Sequence, residues 1–268
     1  ATIRRQRQMC IRDSVKSGGS WRKFHDAENV FTFSVTLTGT RTSTFNLGTW
    51  LTTSGYNSPS LGRVYNNGDR IRGLITVDGN AGGNPGIYIG SFTSGSIVYI
   101  KVNSNRRIAG RGGNGGNVGA GGQSAGTALY TRTPVYIQNN GNMWGGGGGG
   151  RGGNNGQCVG TYYYNYNCGK NCYRQGTGYN YNPASGGGGG GGAGIPAGSG
   201  RQRGNNGSYN SGGNGGSGNG CGSNSGGKGG NPGQNATGGN SGSNGNSGNY
   251  IDGAVSYTHL RAHETSEN

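Results

Sequence analysis

Histidine, proline and acidic residues are all scarce in this chain, and each scarcity removes a class of function. Three histidines leave almost no material for a histidine base or a histidine-rich metal site. Six prolines beside 67 glycines in a loose triplet period exclude a collagen triple helix. No apolar run approaches the ~20 residues that span a bilayer, so no membrane insertion is expected. The acidic residues away from the ends are Asp26, Glu28, Asp69, Asp78 and Asp252, and nothing pairs two of them as a general acid and base. Cys158, Cys168, Cys172 and Cys221 lack the paired C-x-x-C spacing of a zinc knuckle. Neither catalysis, nor a cofactor, nor a resident metal is expected. What the chain has instead is glycine, asparagine, tyrosine and positive charge.

Both ends read as translated sequencing adapter. Arg4, Arg5, Gln6, Arg7, Gln8, Met9, Cys10, Ile11, Arg12 and Asp13 back-translate into the adapter and transposase end of a short-read library. The run from Val255 to Thr265 back-translates into the reverse complement of that end plus its partner adapter. Residues 1–14 and 254–268 are therefore set aside from fold reasoning. The remaining stretch carries no start methionine and is expected to be an internal piece of a longer gene. Its net charge is +13, against +15 for the whole chain, and its one histidine, His25, reads as a surface or packing residue.

Composition divides this stretch near residue 104. Residues 15–104 read as a small all-β N-terminal domain. Val30–Leu37 alternates Phe31, Phe33, Val35 and Leu37 on one face with Thr32, Ser34 and Thr36 on the other. Residues 70–77, 87–92 and 97–102 repeat this character, and Thr93-Ser94-Gly95-Ser96 is short enough for a hairpin. No sustained 3.6-residue apolar period appears, so little or no α-helix is expected. Trp21, Phe24 and Trp50 read as core residues, with contact on a partner as the other option.

Beyond residue 104 the chain cannot build an ordinary core. Of the 146 residues from Asn105 to Tyr250, 52 are glycine, and the large aliphatics are few. Two pure glycine runs stand out: Gly145, Gly146, Gly147, Gly148, Gly149 and Gly150, then Gly186, Gly187, Gly188, Gly189, Gly190, Gly191 and Gly192. Such runs are either a disordered, low-complexity linker or backbone packed so closely that only hydrogen atoms fit. The second option is a bundle of polyproline-II helices, whose N–H and C=O groups must pair with neighbouring segments. Two runs of near-equal length suggest two antiparallel rods joined by a turn. The intervening segment carries Tyr162, Tyr163, Tyr164, Tyr166, Tyr173, Tyr179 and Tyr181, with Lys170 and Arg174. Tyrosine offers large amphipathic contact area at low entropic cost, so this segment reads as a contact surface. The bland alternative is that these tyrosines cover the flank of the bundle.

The order of these features resembles a known family. A β-rich segment, then Ile108-Ala109-Gly110-Arg111-Gly112-Gly113-Asn114-Gly115-Gly116, then the strand-like Val135-Tyr136-Ile137-Gln138-Asn139-Asn140-Gly141, then pure glycine is similar to the receptor-recognising adhesins at the tips of tailed-phage fibres. It is also similar to glycine-rich C-terminal modules of phage tail-tip host-specificity proteins. The resemblance covers residues 86–192 well, residues 200–249 loosely and residues 15–80 least. It implies a stacked polyproline-II bundle over 105–253, with Gly112, Gly113, Gly115, Gly116 and the two glycine runs as scaffold. It implies receptor contact by the segments 124–132, 157–181 and 199–209. It implies attachment through residues 15–104 to a phage fibre or tail-tip protein, an outer-membrane receptor on the host, and a place on the virion. The aromatic and basic residues named above would make the receptor contact.

The four cysteines allow three pairings. A local bridge between Cys168 and Cys172, or one joining Cys158 to either, would brace the tyrosine segment. The positive charge suits approach to an anionic lipopolysaccharide surface. Two other readings stand beside the adhesin: a disordered RNA-binding segment, thinly supported by Arg111 and Arg151 in Arg-Gly-Gly, and a secreted structural or ice-binding protein. Nucleic acid is not favoured as a partner.

Overall fold

The computed structural model describes residues 14–17, 20–23, 30–53, 64–169, 172–240, 242–253 and 257–260. Phe24 and His25 lie outside them, as does the side chain of Trp21. Two short strands, β1 (Ser14–Ser17) and β2 (Ser20–Lys23), pair antiparallel as a separate hairpin. The next elements build a stack of parallel rungs. The first rung is β3 (Val30–Arg41), β4 (Phe45–Asn46) and the short helix α1 (Leu47–Thr53). The second is β5 (Arg70–Gly83) and β6 (Ile87–Gly90). The third is β7 (Ile97–Val102), β8 (Arg107–Gly110) and β9 (Leu129–Thr131). The fourth is β10 (Val135–Asn139), β11 (Asn142–Trp144) and, much later in the chain, β14 (Ile251–Gly253). A last strand, β15 (Tyr257–Leu260), pairs with β10.

Parallel pairing in register explains the core. β3 lies along one edge of β5, while β7 and β8 follow each other along its other edge. β10 and β11 continue that layer. Residues of one face therefore stack in columns through the rungs. Val35, Ile75, Ile100 and Ile137 form one column, and Phe33, Gly73, Val98 and Val135 another. Gly73 is needed there because a Cβ would collide with the Phe33 ring. The second layer stacks Phe45, Ile87, Leu129 and Ile251 through β4, β6, β9 and β14. The two layers close on one apolar core, to which α1 adds Leu47 and Leu51. Asn46 caps that helix by accepting from the Thr49 N–H at 3.0 Å. Trp50 is partly buried against the core, 6.1 Å from Phe33 and 6.4 Å from Phe45 between ring centres.

Two expectations change here. Thr93–Ser96 does not close a hairpin: β6 and β7 belong to different layers, and each pairs in parallel with other rungs. Period-two alternation is the same in parallel and antiparallel strands, so it could not tell them apart. The compositional break at residue 104 also falls inside the sheet, between β7 and β8. Ile108, Leu129, Val135 and Ile137 are buried in the strand core. Glycine-rich chain leaves the stack twice, after β8 and after β11, and returns each time to the next strand of the second layer.

The glycine region has no helix, and its strands and bridge are confined to one hairpin and one isolated pair among the described residues. Its backbone bonding nevertheless has a strict period of three. Gly146, Gly149 and Gly152 donate to the carbonyls of Gly126, Gln123 and Ala120, each at 2.9 Å. Gly147, Gly150 and Gly153 donate to Ala193, Gly190 and Gly187 at 2.7–2.8 Å, and Gly148 donates to Gln234 at 3.1 Å. The partner number falls by three as the donor rises by three, so the two pure glycine runs lie side by side and antiparallel. The second run repeats the rule on three sides. Gly189 and Gly192 bond to Gly116 and Gly113, Gly187 and Gly190 to Asn224 and Gly227, and Gly188 and Gly191 to Gln202 and Asn205. Each segment thus has three differently directed rows of donors, and each row meets its own neighbour.

Close approach is what demands glycine. Residues 145–150 and 186–192 are all buried. A Cβ on Gly147 would land on the Gly230 carbonyl oxygen, one on Gly189 on that of Gly150, and one on Gly192 on that of Gly147. The obstacle is backbone in every case, so no rotamer change relieves it.

Candidate functional site

The segment between the glycine runs is an antiparallel hairpin, β12 (Gly156–Gly169) and β13 (Cys172–Ala184). It is a paired ribbon and not a loop joining two rods. Alternation explains the strands, since Tyr162, Tyr164 and Tyr166 fall on one face and Tyr163 on the other. Their partners across the hairpin are Gly178, Gly176, Arg174 and Thr177. Tyr162 and Tyr164 lie across the partner strand. A Cβ on Gly176 would come within 2.7 Å of Tyr164 Cζ, and one on Gly178 would collide with the Tyr162 ring. Those two glycines therefore make room for flat rings. The three rings form a row with centres 6.0 and 6.1 Å apart.

Neither face of the hairpin is covered. Val159, Tyr162, Tyr163, Tyr164, Tyr166, Tyr179 and Tyr181 are all exposed, Tyr163 at 68%. Arg174 is exposed as well. A two-stranded ribbon with two solvated faces has no core of its own, so its base must be held. Ala184 is buried there, and Gly186 donates to Asn155 Oδ1 at 3.1 Å. Cys158, third residue of β12, is disulfide-bonded to Cys221, with Cα atoms 4.8 Å apart. Cys221 belongs to a turn of the glycine region, where Ser223 Oγ donates to the Gly220 carbonyl at 2.7 Å.

This corrects the local bridge that would join Cys158 to Cys168 or Cys172. Ten residues of strand separate Cys158 from Cys168, about 33 Å of extended chain. Cys158 stands at the base and Cys168 near the tip. Cys168 is itself disulfide-bonded. Lys170 lies outside the described residues, as do the side chains of Cys172 and Tyr173.

The other two expected contact segments are placed differently. Residues 124–132 are not an exposed loop: Gly126 bonds to Arg111 at 2.7 Å, Ala128 to Asn249 at 3.1 Å, and Ala128 and Leu129 are fully buried. Their small apolar residues belong to a return segment leading into β9. Residues 199–209 are half turn and half scaffold. Arg201, Gln202 and Arg203 are exposed, with φ of 36° at Gln202 and 72° at Arg203. Gly204 closes that turn by donating to the Arg201 carbonyl at 2.7 Å, and Asn205 and Gly207 then rejoin the hydrogen-bonded rows, donating to Asn214 and Gly198. Gly112, Gly113, Gly115 and Gly116 are buried, and donate to Pro196, Gly147, Ser199 and Gly150 respectively.

Several turns gather at the hairpin's end of the glycine region. The Val118 N–H donates to Gln202 Oε1 at 3.0 Å, joining one turn to the Arg201–Arg203 turn. Arg203 donates to the Ser217 carbonyl, and the turn that follows carries Cys221 to the hairpin base. Arg151 donates to the Gly238 and Gly242 carbonyls at 2.8 and 3.1 Å, pinning a further turn nearby. The sequence reading missed this gathering, because each turn is polar and locally unremarkable.

The described residues thus form a stack of parallel rungs, a glycine region bonded through its backbone and a solvated aromatic ribbon. The class is known: residues 31–265 match the family model of the phage tail fibre adhesin Gp38, and the chain belongs to that family. It is thus an adhesin of the virion's tail fibre. Among solved structures, the chain is similar to the crystal structure of the gp37-gp38 adhesin tip complex of the bacteriophage S16 long tail fibre. Identity is 22%, over 90% of this chain and 84% of that one, with a TM-score of 0.42. No curated protein matches the chain.

Proposed function

We propose that the tyrosine hairpin is the receptor-contact element of this adhesin, held out by a rigid bundle of polyproline-II helices. The observation that carries the reading is a ribbon of exposed tyrosines with no core, clamped at its base to the scaffold by Cys158–Cys221. The three-residue period of donors supports the polyproline-II assignment, because a helix of three residues per turn presents three rows of N–H groups. Rigidity limits the freedom lost on binding. The receptor is an outer-membrane protein or lipopolysaccharide of the host, and the adhesin works without catalysis. The strand stack, which continues past residue 104 through β8–β11, attaches it to a fibre or tail-tip protein.

Alanine at Tyr163 and Tyr164 together should lower adsorption to host cells while leaving the fold intact. Adsorption is measured with the purified chain on cells, and the fold by circular dichroism. Unchanged adsorption across the hairpin tyrosines would remove the hairpin from the mechanism. Amide exchange tests the scaffold: glycines 145–150 and 186–192 should be protected. Free exchange there would favour the disordered RNA-binding alternative.

A further inference from the structure

We propose that the hairpin face bearing Tyr162, Tyr164 and Tyr166 binds an acidic sugar chain of the host surface, one carrying phosphate or carboxylate groups. This rests on the reading of the hairpin as the receptor-contact element. Three observations carry it. The first is ring placement. Tyr162 and Tyr164 lie against the backbone at Gly178 and Gly176 and remain 46% and 47% exposed, which leaves an outward aromatic surface. Such a surface suits the flat C–H face of a pyranose, and the row offers three of them at about 6 Å intervals. The second is what flanks the row. Asn180 and Asn182 stand opposite Gly160 and Cys158 on the same side of the ribbon, both exposed, with amides suited to sugar hydroxyls.

The third is charge. From residue 79 to residue 251 the sequence contains no aspartate or glutamate, yet it holds eleven lysines and arginines. Arg174 stands directly opposite Tyr166 at the end of the row. Arg203 belongs to the turn cluster tied to the hairpin base through Ser217. Arginine reads phosphate and carboxylate alike, through paired hydrogen bonds. Single-stranded nucleic acid also combines stacking with negative charge. Successive rings here are tilted by 42° and 44°, which suits units that turn along a chain better than bases stacked in parallel.

The test uses the full chain and delipidated core oligosaccharides from a panel of Gram-negative lipopolysaccharides. Each is offered intact, dephosphorylated and carboxyl-reduced, and binding is followed by calorimetry. At least one intact oligosaccharide should bind, and one of the two treatments should weaken it about tenfold, the size of one charge-assisted hydrogen bond. Which treatment acts identifies the acidic group. Arg174→Gln should show a similar loss and a flatter salt dependence. Tyr164→Ala should lose binding and Tyr164→Phe should keep it, with circular dichroism confirming that each variant folds. The proposal is overturned if no intact oligosaccharide binds, if both treated forms bind as well as the intact one, or if only a solubilised outer-membrane protein or single-stranded RNA binds. Cell adsorption separates the two levels. Variants that lose adsorption while no oligosaccharide binds overturn the sugar assignment alone, and variants that adsorb like the parent overturn the contact reading with it.

Discussion

The strand stack and the glycine region bury opposite things. In the stack, columns such as Val35, Ile75, Ile100 and Ile137 remove apolar side chains from water, and hydrogen bonds stay within two layers. In the glycine region there are few side chains to bury. The interior is peptide groups, bonded on three sides to different neighbours. A side-chain core tolerates swaps that conserve volume, because rotamers adjust. A backbone lattice has no rotamers, so an added methyl group must move a whole segment. The same chain thus has one region tuned by volume and another governed by the absence of volume.

The largest effect should come from breaking the second region by the rule of the first. Gly147→Val sets a side chain on the Gly230 carbonyl, and soluble folded protein should not be recovered. Its control is Gly160→Ala in the hairpin, where a Cβ meets nothing nearer than 3.9 Å and stability should hold within about 0.5 kcal/mol. Equal loss in both would show that glycine is needed for something other than close approach. Next in size is Ile100→Ala, buried to 1% exposure, which should cost about 2–5 kcal/mol in a denaturant titration. A loss below that range would mean that neighbouring columns collapse into the space.

Cys221→Ser should cost less, because it unties only the hairpin base. Cys158 and Cys221 are 63 residues apart, and a disulfide of that kind is typically worth about 2–4 kcal/mol. The lattice rows around residues 187–192 do not include this bond, so their amide protection should survive. Loss of protection there would make the disulfide a scaffold element instead of a clamp for the ribbon.

Strands were legible where side chains alternate. The apolar run 97–102 coincides with β7, and 70–77 covers the first half of β5. Parallel stacking was not legible, since alternation is the same in both kinds of pairing and two of the connections, after β8 and after β11, run through glycine-rich chain that looks like a tail. The hairpin carried its signal in Tyr162, Tyr164 and Tyr166, two apart. Gly176 and Gly178 obscured it, because glycine weakens a strand reading unless the ring above it is known. The Cys158–Cys221 pairing depends on which turn docks at the ribbon's base, and no local pattern encodes that.

The smallest effect contrasts the regions by titration. Tyr65 packs edge-on to Phe31 at 5.4 Å and Phe92 at 6.3 Å. Burial, and secondarily the charge of Asp69, raise its pKa above the ordinary 10.0. A raised value means that the folded state disfavours the phenolate. The associated stability is fully present below pH 10.0 and is lost as pH rises through the raised value. Tyr65→Phe removes that ionisation, so its denaturation midpoint should fall less than the parent's between about pH 9 and about pH 11. The peptide groups inside the lattice do not titrate in this window. Alkali should therefore loosen the strand stack before the glycine region, and equal slopes in parent and variant would leave Tyr65 without a part in that order.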